Sequence, residues 1–180
     1  MTDVDAMARL LRDRYGNAGV VGLSDAEVEE VRRDQSVAEL PREWRRFLSL
    51  MGRRAGGLLF EDADLFYPHI LGIKRQALDE LPSLRGRVAR ADDLVVVGTC
   101  RDCEFYVVGG PHAAGSEVVR YIKGEEAPSY GWPSFTALLR DEIDRVFRAE
   151  AGLGRSADED GKLEGRLAKG FGRWRQKGQL

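Results

Sequence analysis

Apolar residues recur at helical spacing in the first third of the chain, with charged residues between them. Residues 3–15 predict a first helix, and Gly16 follows it where a glycine commonly ends a helix. A second helix is predicted to begin at Ser24, because the spacing of Ser24 and Glu27 is that of a capping box. The apolar positions of these two helices are Val4, Met7, Leu10, Leu11, Val28 and Val31.

The segment ELPREWRRFLSLMG, residues 39–52, predicts a third helix with a strongly apolar side. Pro41 suits its first turn, where an amide hydrogen has no helical partner, and Gly52 is predicted to end it in a left-handed conformation. Burying its four large apolar side chains would contribute about 2 kcal/mol each before the loss of conformational entropy. These side chains, spaced i, i+3, i+4 and i+7, are Trp44, Phe47, Leu48 and Met51.

The middle of the chain changes to the composition of strands and turns. Residues 58–60 predict a short strand, 62–64 a turn, 65–73 an extended segment or strand, and 74–84 a short helix. Three β-branched runs then predict strands, and the short connections between them favour antiparallel hairpins. The three runs are residues 94–98, 104–108 and 117–122.

A long amphipathic helix is predicted after residue 133, with Ser134 as its N-cap. The order of helices, strands and helix predicts an α+β domain over residues 1–151, with a mostly antiparallel central sheet on which the N-terminal helices and the C-terminal helix pack. Residues 152–180 are glycine-rich and basic, and we expect a flexible tail there. The apolar positions of the final helix are Phe135, Leu138, Leu139, Ile143, Val146 and Phe147.

The composition is that of an ordinary globular protein, and it does not indicate a particular function. Hydrophobic residues make up 43% of the chain and charged residues 32%, which is an ordinary globular balance, and the net charge of -2 does not predict a nucleic-acid partner. No apolar run approaches the roughly 20 residues of a transmembrane segment. The N-terminal residues lack the basic region of a signal peptide, so a cytoplasmic location is predicted.

No set of residues predicts catalysis or a cofactor. Cys100 and Cys103 form a CxxC pair between two predicted strands, which indicates a hairpin turn; metal binding and redox chemistry are the alternatives. The two histidines, His69 and His112, have the sequence context of loop or core residues. We therefore expect no enzymatic activity, no metal site and no cofactor.

Acidic residues cluster in several predicted loops, close in sequence to aromatic residues. If these loops converge, they would present a negative surface to a basic partner, with aromatic anchors beside it. The alternative is that the acids keep loops soluble and the aromatics border the core. The predicted partner-binding residues are Glu61, Asp62, Asp64, Tyr67, Asp92, Asp93 and Trp132.

The tail offers a second surface. Its basic residues, with two aromatic residues among them, would suit nucleic acid or an anionic membrane. There are two alternatives. The tail is solvated and has no specific role, or it docks on the protein's own acidic face or on a partner. The residues proposed for this tail surface are Arg166, Lys169, Phe171, Arg173, Trp174 and Arg175.

Residues 20–150 resemble the SUKH superfamily in four features taken together. These are the capped second helix, the LPREWRRFL segment, the glycine pair that follows it and a late helix that begins SFTALL. The resemblance implies a binding protein, because many bacterial members look like immunity proteins that occlude a cognate polymorphic toxin domain, often a nuclease, without a catalytic residue. The alternatives are a regulatory or scaffolding module that uses the basic tail, and an enzyme. The matching residues are Leu40, Pro41, Trp44, Phe47, Leu48, Gly56, Gly57, Phe135 and Leu139.

Overall fold

The computed structural model describes residues 2–57, 63–81, 94–100, 103–109, 117–125 and 130–150. Helices and strands follow one another there as the sequence predicts for an α+β fold, and that prediction is confirmed. A 3-10 turn at Asn17–Gly19 follows the first helix. The helices are α1 (Asp3–Tyr15), α2 (Asp25–Asp34), α3 (Arg42–Met51), α4 (Ile73–Glu80) and α5 (Phe135–Glu150).

All strand pairs in the described part of the chain are antiparallel. Strands β1 (Val20–Val21) and β2 (Arg54–Ala55) form a small two-stranded sheet. The larger sheet has five strands whose spatial order follows the chain, although α4 lies between its first and second strands. Its strands are β3 (Ala63–Asp64), β4 (Leu94–Cys100), β5 (Glu104–Gly109), β6 (Val118–Ile122) and β7 (Tyr130–Trp132).

The chain divides into two compact units, residues 1–142 and 143–180, with the division inside α5. The first unit contains the two sheets, the first four helices and the start of α5. Of the second unit the structure describes residues 143–150, the last turns of α5, in which Ile143 and Val146 are buried. The predicted tail, residues 152–180, lies outside the described residues.

Side-chain caps fix where the first two helices begin. Ser24 Oγ accepts a hydrogen bond from the Glu27 amide at 3.4 Å, and Glu27 Oε2 accepts one from the Ser24 amide at 2.9 Å. The predicted capping box of α2 is therefore confirmed. Thr2 and Asp5 form a second capping box at the start of α1, which the sequence reasoning did not include. Both caps satisfy amides that have no partner within the helix.

The apolar side of α3 lies in the centre of the core, as predicted. Trp44, Phe47, Leu48 and Met51 are all 0% exposed. The ring of Phe47 contacts the ring of Phe135 edge-on, with the centroids 5.3 Å apart. This contact joins α3 to the first turn of α5, so the two ends of the SUKH-like pattern meet in space.

Two details of the predicted helices are wrong. Leu10 is 46% exposed, and Ala8 is buried in its place, because positions 4, 7, 8 and 11 share a helix face whereas position 10 lies about 120° away from position 4. Gly52 ends α3 with φ -67° and ψ -11°, a right-handed conformation. A glycine is required at position 52 for a steric reason, because a Cβ there would lie 2.7 Å from the Leu48 carbonyl oxygen.

The segment after β3 differs most from its prediction. Residues 65–73 were expected to be extended, but turns occupy residues 67–72 and α4 begins at Ile73. Backbone hydrogen bonds from Ile70 to Phe66, at 3.1 Å, and from Leu71 to Pro68, at 3.0 Å, hold these turns. The turn predicted at residues 62–64 is instead partly strand, since Ala63 and Asp64 pair with β4. The strand predicted at residues 58–60 lies outside the described residues.

A buried glutamine joins α2 to the large sheet beside a bulge. The register between β4 and β5 shifts between Val96 and Gly98, and the Val96 amide donates to Gln35 Oε1 at 3.0 Å. Gln35 is 0% exposed, and its backbone carbonyl accepts a hydrogen bond from the buried ammonium group of Lys74 in α4. Side chains therefore supply hydrogen bonds at a place where regular strand pairing is interrupted.

Candidate functional site

One side of α2 carries three acidic residues, Glu27, Glu30 and Asp34. Their spacing of i, i+3 and i+7 places them on the same face of the helix. Glu30 and Asp34 are exposed, whereas Val28 and Val31 point into the core. We call this surface the α2 acidic face.

Tyr67 lies against the α2 acidic face. Its hydroxyl donates to Glu30 Oε2 at 3.0 Å, and the guanidinium group of Arg53 lies 5.2 Å from the centre of its ring. Arg53 also forms an ion pair with Glu27. We call Glu27, Glu30, Arg53 and Tyr67 the Tyr67 cluster.

Local structure determines the position of each member of this cluster. The capping box holds Glu27 at the first turn of α2, and the amide of Tyr67 donates to the carbonyl of Gly52, at the end of α3, at 3.0 Å. Both carboxylate oxygens of Asp34 accept from the Gly72 amide, at 3.1 and 3.0 Å. The turns that follow β3 are therefore attached to the end of α3 through Tyr67 and to α2 through Gly72.

Hydrogen bonds in the Tyr67 cluster shift the pKa values of two of its members, Tyr67 and Glu27. The hydrogen bond to the Glu30 carboxylate raises the pKa of Tyr67, because that bond requires the phenolic proton. The bond from the Ser24 backbone, followed by the bond from Arg53, lowers the pKa of Glu27. The raised pKa keeps Tyr67 neutral at pH 7, so the cluster presents a neutral, half-buried aromatic ring among acidic side chains.

Trp132, another predicted partner-binding residue, lies in the edge strand β7. Its ring centroid is 5.8 Å from that of Tyr106, and it pairs with Val118 in β6. An ion pair of 3.4 Å joins Arg120 to Glu104 on the same side of the sheet. Burial raises the pKa of Tyr106. Trp132 therefore belongs to a partly exposed aromatic and charged area on strands β5 to β7.

The predicted partner-binding residues do not share one small area. Asp64 lies in β3 and Trp132 in β7, the two edge strands of the five-stranded sheet, so about 19 Å separates their strands at the usual spacing. Among the predicted residues whose side chains the structure describes, Tyr67 lies beside acidic side chains, and those acids belong to α2 rather than to the loops. The predicted residues outside the described part of the chain are Glu61, Asp62, Asp92, Asp93, Arg166, Lys169, Phe171, Arg173, Trp174 and Arg175.

Sequence reasoning missed Glu27, Glu30 and Arg53 as members of the candidate site. The acidic spacing on α2 was visible in the sequence, because the positions 27, 30 and 34 fall on one helix face. The contact with Arg53 and Tyr67 was not visible, since 37 residues separate Tyr67 from Glu30.

Two adjoining pockets, with volumes of about 600 and 550 Å³, lie along α1 and α3. Arg46 and Asp5 line both, and they form an ion pair there. The bond from Arg46, and then those from Thr2, hold the pKa of Asp5 well below its usual range. Glu43 accepts a hydrogen bond from the Thr136 amide at 2.8 Å, at the start of α5. Asp5 and Glu43 therefore serve internal contacts in these pockets.

The structure describes both cysteines and His69. Cys100 ends β4 and Cys103 precedes β5, which confirms the predicted position in a hairpin turn. His69 is exposed. Within the described residues, no three His, Cys, Asp or Glu side chains come together as metal ligands would.

No protein-family model and no curated protein sequence matches the chain. The resemblance to the SUKH superfamily therefore rests on the sequence pattern and stays a prediction. In the described part of the chain, every helix is too short or too polar to cross a membrane.

Proposed function

We propose that the protein is a toxin-neutralising immunity protein that binds and occludes a cognate polymorphic toxin domain. The observation that supports this proposal best is the Tyr67 cluster, in which an aromatic ring is held among acidic side chains at the surface. The SUKH-like pattern supports it from the sequence side. The mechanism is stoichiometric occlusion, and no residue of the chain needs to be catalytic.

The chemistry of the α2 acidic face suits a basic toxin. A nuclease binds the phosphate backbone of its substrate through lysine and arginine, so its active surface is positively charged. Exposed carboxylates on Glu30 and Asp34 would attract that surface and accelerate the encounter. Tyr67 would then act as the anchor, because a tyrosine buries a large ring and loses little conformational freedom on binding.

The first test is native purification from the source cell with two versions of the protein, the full chain and a chain that ends at Gly154. A stoichiometric complex with a toxin domain in both versions, and protection of cells that express that toxin, are the expected results. Recovery of nucleic acid or lipid by the full chain alone would contradict the proposal. It would favour instead the scaffolding module that acts through residues 155–180.

Charge reversal on the α2 acidic face then tests the surface. Glu30→Arg should weaken toxin binding by at least about tenfold, since like charges placed opposite each other at an interface repel. Glu39→Arg is the matched control, because Glu39 is exposed and lies in the connection between α2 and α3. Equal affinities for the two variants, measured by calorimetry, would exclude the α2 acidic face as the binding surface.

A further inference from the structure

The two cysteines occupy a constrained position at one end of the β4–β5 hairpin. The Cys103 amide donates to the Cys100 carbonyl at 3.1 Å, across the three-residue separation that is typical of a β-turn. On the Cys100 side, Cys100 pairs with Glu104, and Thr99 Oγ1 donates to the Glu104 carbonyl at 2.9 Å. On the other side, the Lys123 amide donates to the Cys103 carbonyl at 2.7 Å. Neighbouring strands therefore fix the backbone of both cysteines.

Neither cysteine is in a disulfide, and both are partly exposed. The preceding residues of β4, from Leu94 to Val97, are all buried, so the hydrophobic part of the strand ends before Cys100 is reached. Cysteines that serve only as small apolar core residues are usually fully buried. Packing of the core therefore does not account for a pair of cysteines at this turn.

The backbone hydrogen bond between the two cysteines is compatible with a bond between their sulfur atoms. Residues joined by this kind of hydrogen bond have Cα atoms less than about 7 Å apart, and a disulfide requires a Cα separation of about 4.4–6.8 Å. Cys103 Sγ already lies 3.7 Å from the Cys100 carbonyl oxygen. The sulfur of Cys103 is therefore beside the backbone of its potential partner.

We propose that Cys100 and Cys103 are a thiol-oxidation site that forms a reversible intramolecular disulfide across the β4–β5 turn, with a low-molecular-weight disulfide such as oxidised glutathione as the oxidant. This site is separate from the Tyr67 cluster and does not depend on the proposed immunity function. It requires no residue outside the pair.

The reaction proceeds by two thiol–disulfide exchanges. One cysteine thiolate attacks a sulfur of oxidised glutathione, which breaks the glutathione S–S bond and releases one glutathione thiolate. The second cysteine thiolate then attacks the protein sulfur of the mixed disulfide, forms the Cys100–Cys103 bond and releases the second glutathione. Two protein thiols are oxidised, one glutathione disulfide is reduced to two thiols, and the two thiol protons end on the glutathione molecules.

The test is redox titration of the full-length protein in glutathione buffers, followed by acid quenching, alkylation and mass spectrometry. The expected product is a monomer that has lost two hydrogen atoms and resists alkylation at both cysteines. The same titration in urea should give an equilibrium constant about tenfold lower, because a disulfide that fits the native turn is favoured by the folded chain. Equal constants in the folded and unfolded states would overturn the inference that the turn prepares the bond.

Two single variants serve as controls for the chemistry. Cys100→Ser and Cys103→Ser should each stop at the mixed disulfide with glutathione, whereas the parent protein should pass through that species without accumulating it. A parent protein that remains reduced in oxidised glutathione, accumulates the mixed disulfide or forms disulfide-linked dimers would overturn the proposal. Because the assay measures thiols directly, its outcome does not depend on any toxin.

Discussion

The close approach of Gly22 to α3 leads to a sharp prediction about the stability of the fold. A Cβ atom at Gly22 would lie 1.9 Å from the carbonyl oxygen of Ser49 and 2.6 Å from its carbonyl carbon. These are backbone atoms of a helix, so they cannot turn away as a flexible side chain would. Gly22→Ala must therefore push the chain between β1 and α2 away from α3.

Two backbone hydrogen bonds limit how far that movement can go without cost. The Leu23 amide donates to the Leu48 carbonyl at 2.9 Å, and the Arg53 amide donates to the Val21 carbonyl at 2.9 Å. Losing both would cost about 2 kcal/mol, at about 1 kcal/mol for each bond. Overpacking adds about 1–3 kcal/mol. We expect Gly22→Ala to lower the free energy of unfolding by about 3–5 kcal/mol.

Equilibrium urea unfolding, followed by circular dichroism, measures this difference. Gly124→Ala is the matched control, because Gly124 has open space around the position of a Cβ but a φ of +88°. That control should lose about 1–2 kcal/mol, the cost of a side chain in a left-handed backbone conformation. If Gly22→Ala loses no more stability than Gly124→Ala, the argument from close approach is refuted.

Three further predictions concern the core, the α1–α3 ion pair and the Tyr67 cluster. Phe47→Ala should lower the free energy of unfolding by about 3–5 kcal/mol, because it removes a fully buried ring and leaves a cavity; in urea unfolding, a loss of less than about 1 kcal/mol would contradict its central position. Asp5 has a lowered pKa, so its stabilising contribution is complete above the pKa of an unfolded aspartate, about 4, and is lost as the pH falls through the folded value. Asp5→Asn should therefore lower the free energy of unfolding at pH 7 and much less so in strong acid. The control is Asp13→Asn, at an exposed position of α1, which should change the free energy of unfolding little at pH 7. Tyr67 has a raised pKa, so its contribution is complete below about pH 10 and is lost as the pH rises through the folded value. The difference in unfolding free energy between the parent protein and Tyr67→Phe should shrink in alkali, and a constant difference would argue against the bond to Glu30.

The Tyr67 cluster combines stability with accessibility in a way that suits a binding surface. Hydrogen bonds and an ion pair hold its side chains before any partner arrives, so less conformational entropy would be lost on binding. The same bonds also reduce the negative charge that the partner meets, because Arg53 neutralises part of Glu27. We therefore expect the exposed carboxylates, rather than Glu27, to contribute most to the attraction of a basic toxin.

Local patterns in the sequence were sufficient to predict most of the helices and the main strands. The helical spacing of Trp44, Phe47, Leu48 and Met51 determined which side of α3 is buried, because hydrophobic burial depends on periodicity that neighbouring residues define. The Ser24–Glu27 cap and the β-branched runs of β4 to β6 are equally local. The antiparallel pairing of β4, β5 and β6 followed from the short connections between them, and the α+β class followed from the order of elements.

The short strands and the turns after β3 were decided by long-range contacts instead. β7 has three residues and β3 has two, so neither has enough alternation to be recognised, and each exists because it pairs with a longer strand. Residues 67–72 form turns that are attached to α2 and α3. Gln35 is buried because its side chain meets the Val96 amide, 61 residues away, at the bulge.

For the candidate site, too, some features could be predicted from the sequence and others depended on the tertiary structure. The sequence by itself determined the acidic spacing on α2, the aromatic residue at position 67 and the CxxC pair between two strands, since each depends on residue type and separation along the chain. Only the tertiary structure decided that Tyr67 meets α2 rather than Trp132's edge of the sheet, and that the Arg53 guanidinium group lies over its ring. The physical reason is that a hydrogen bond or a ring contact depends on distances between elements, and those distances are set by the packing of the whole core.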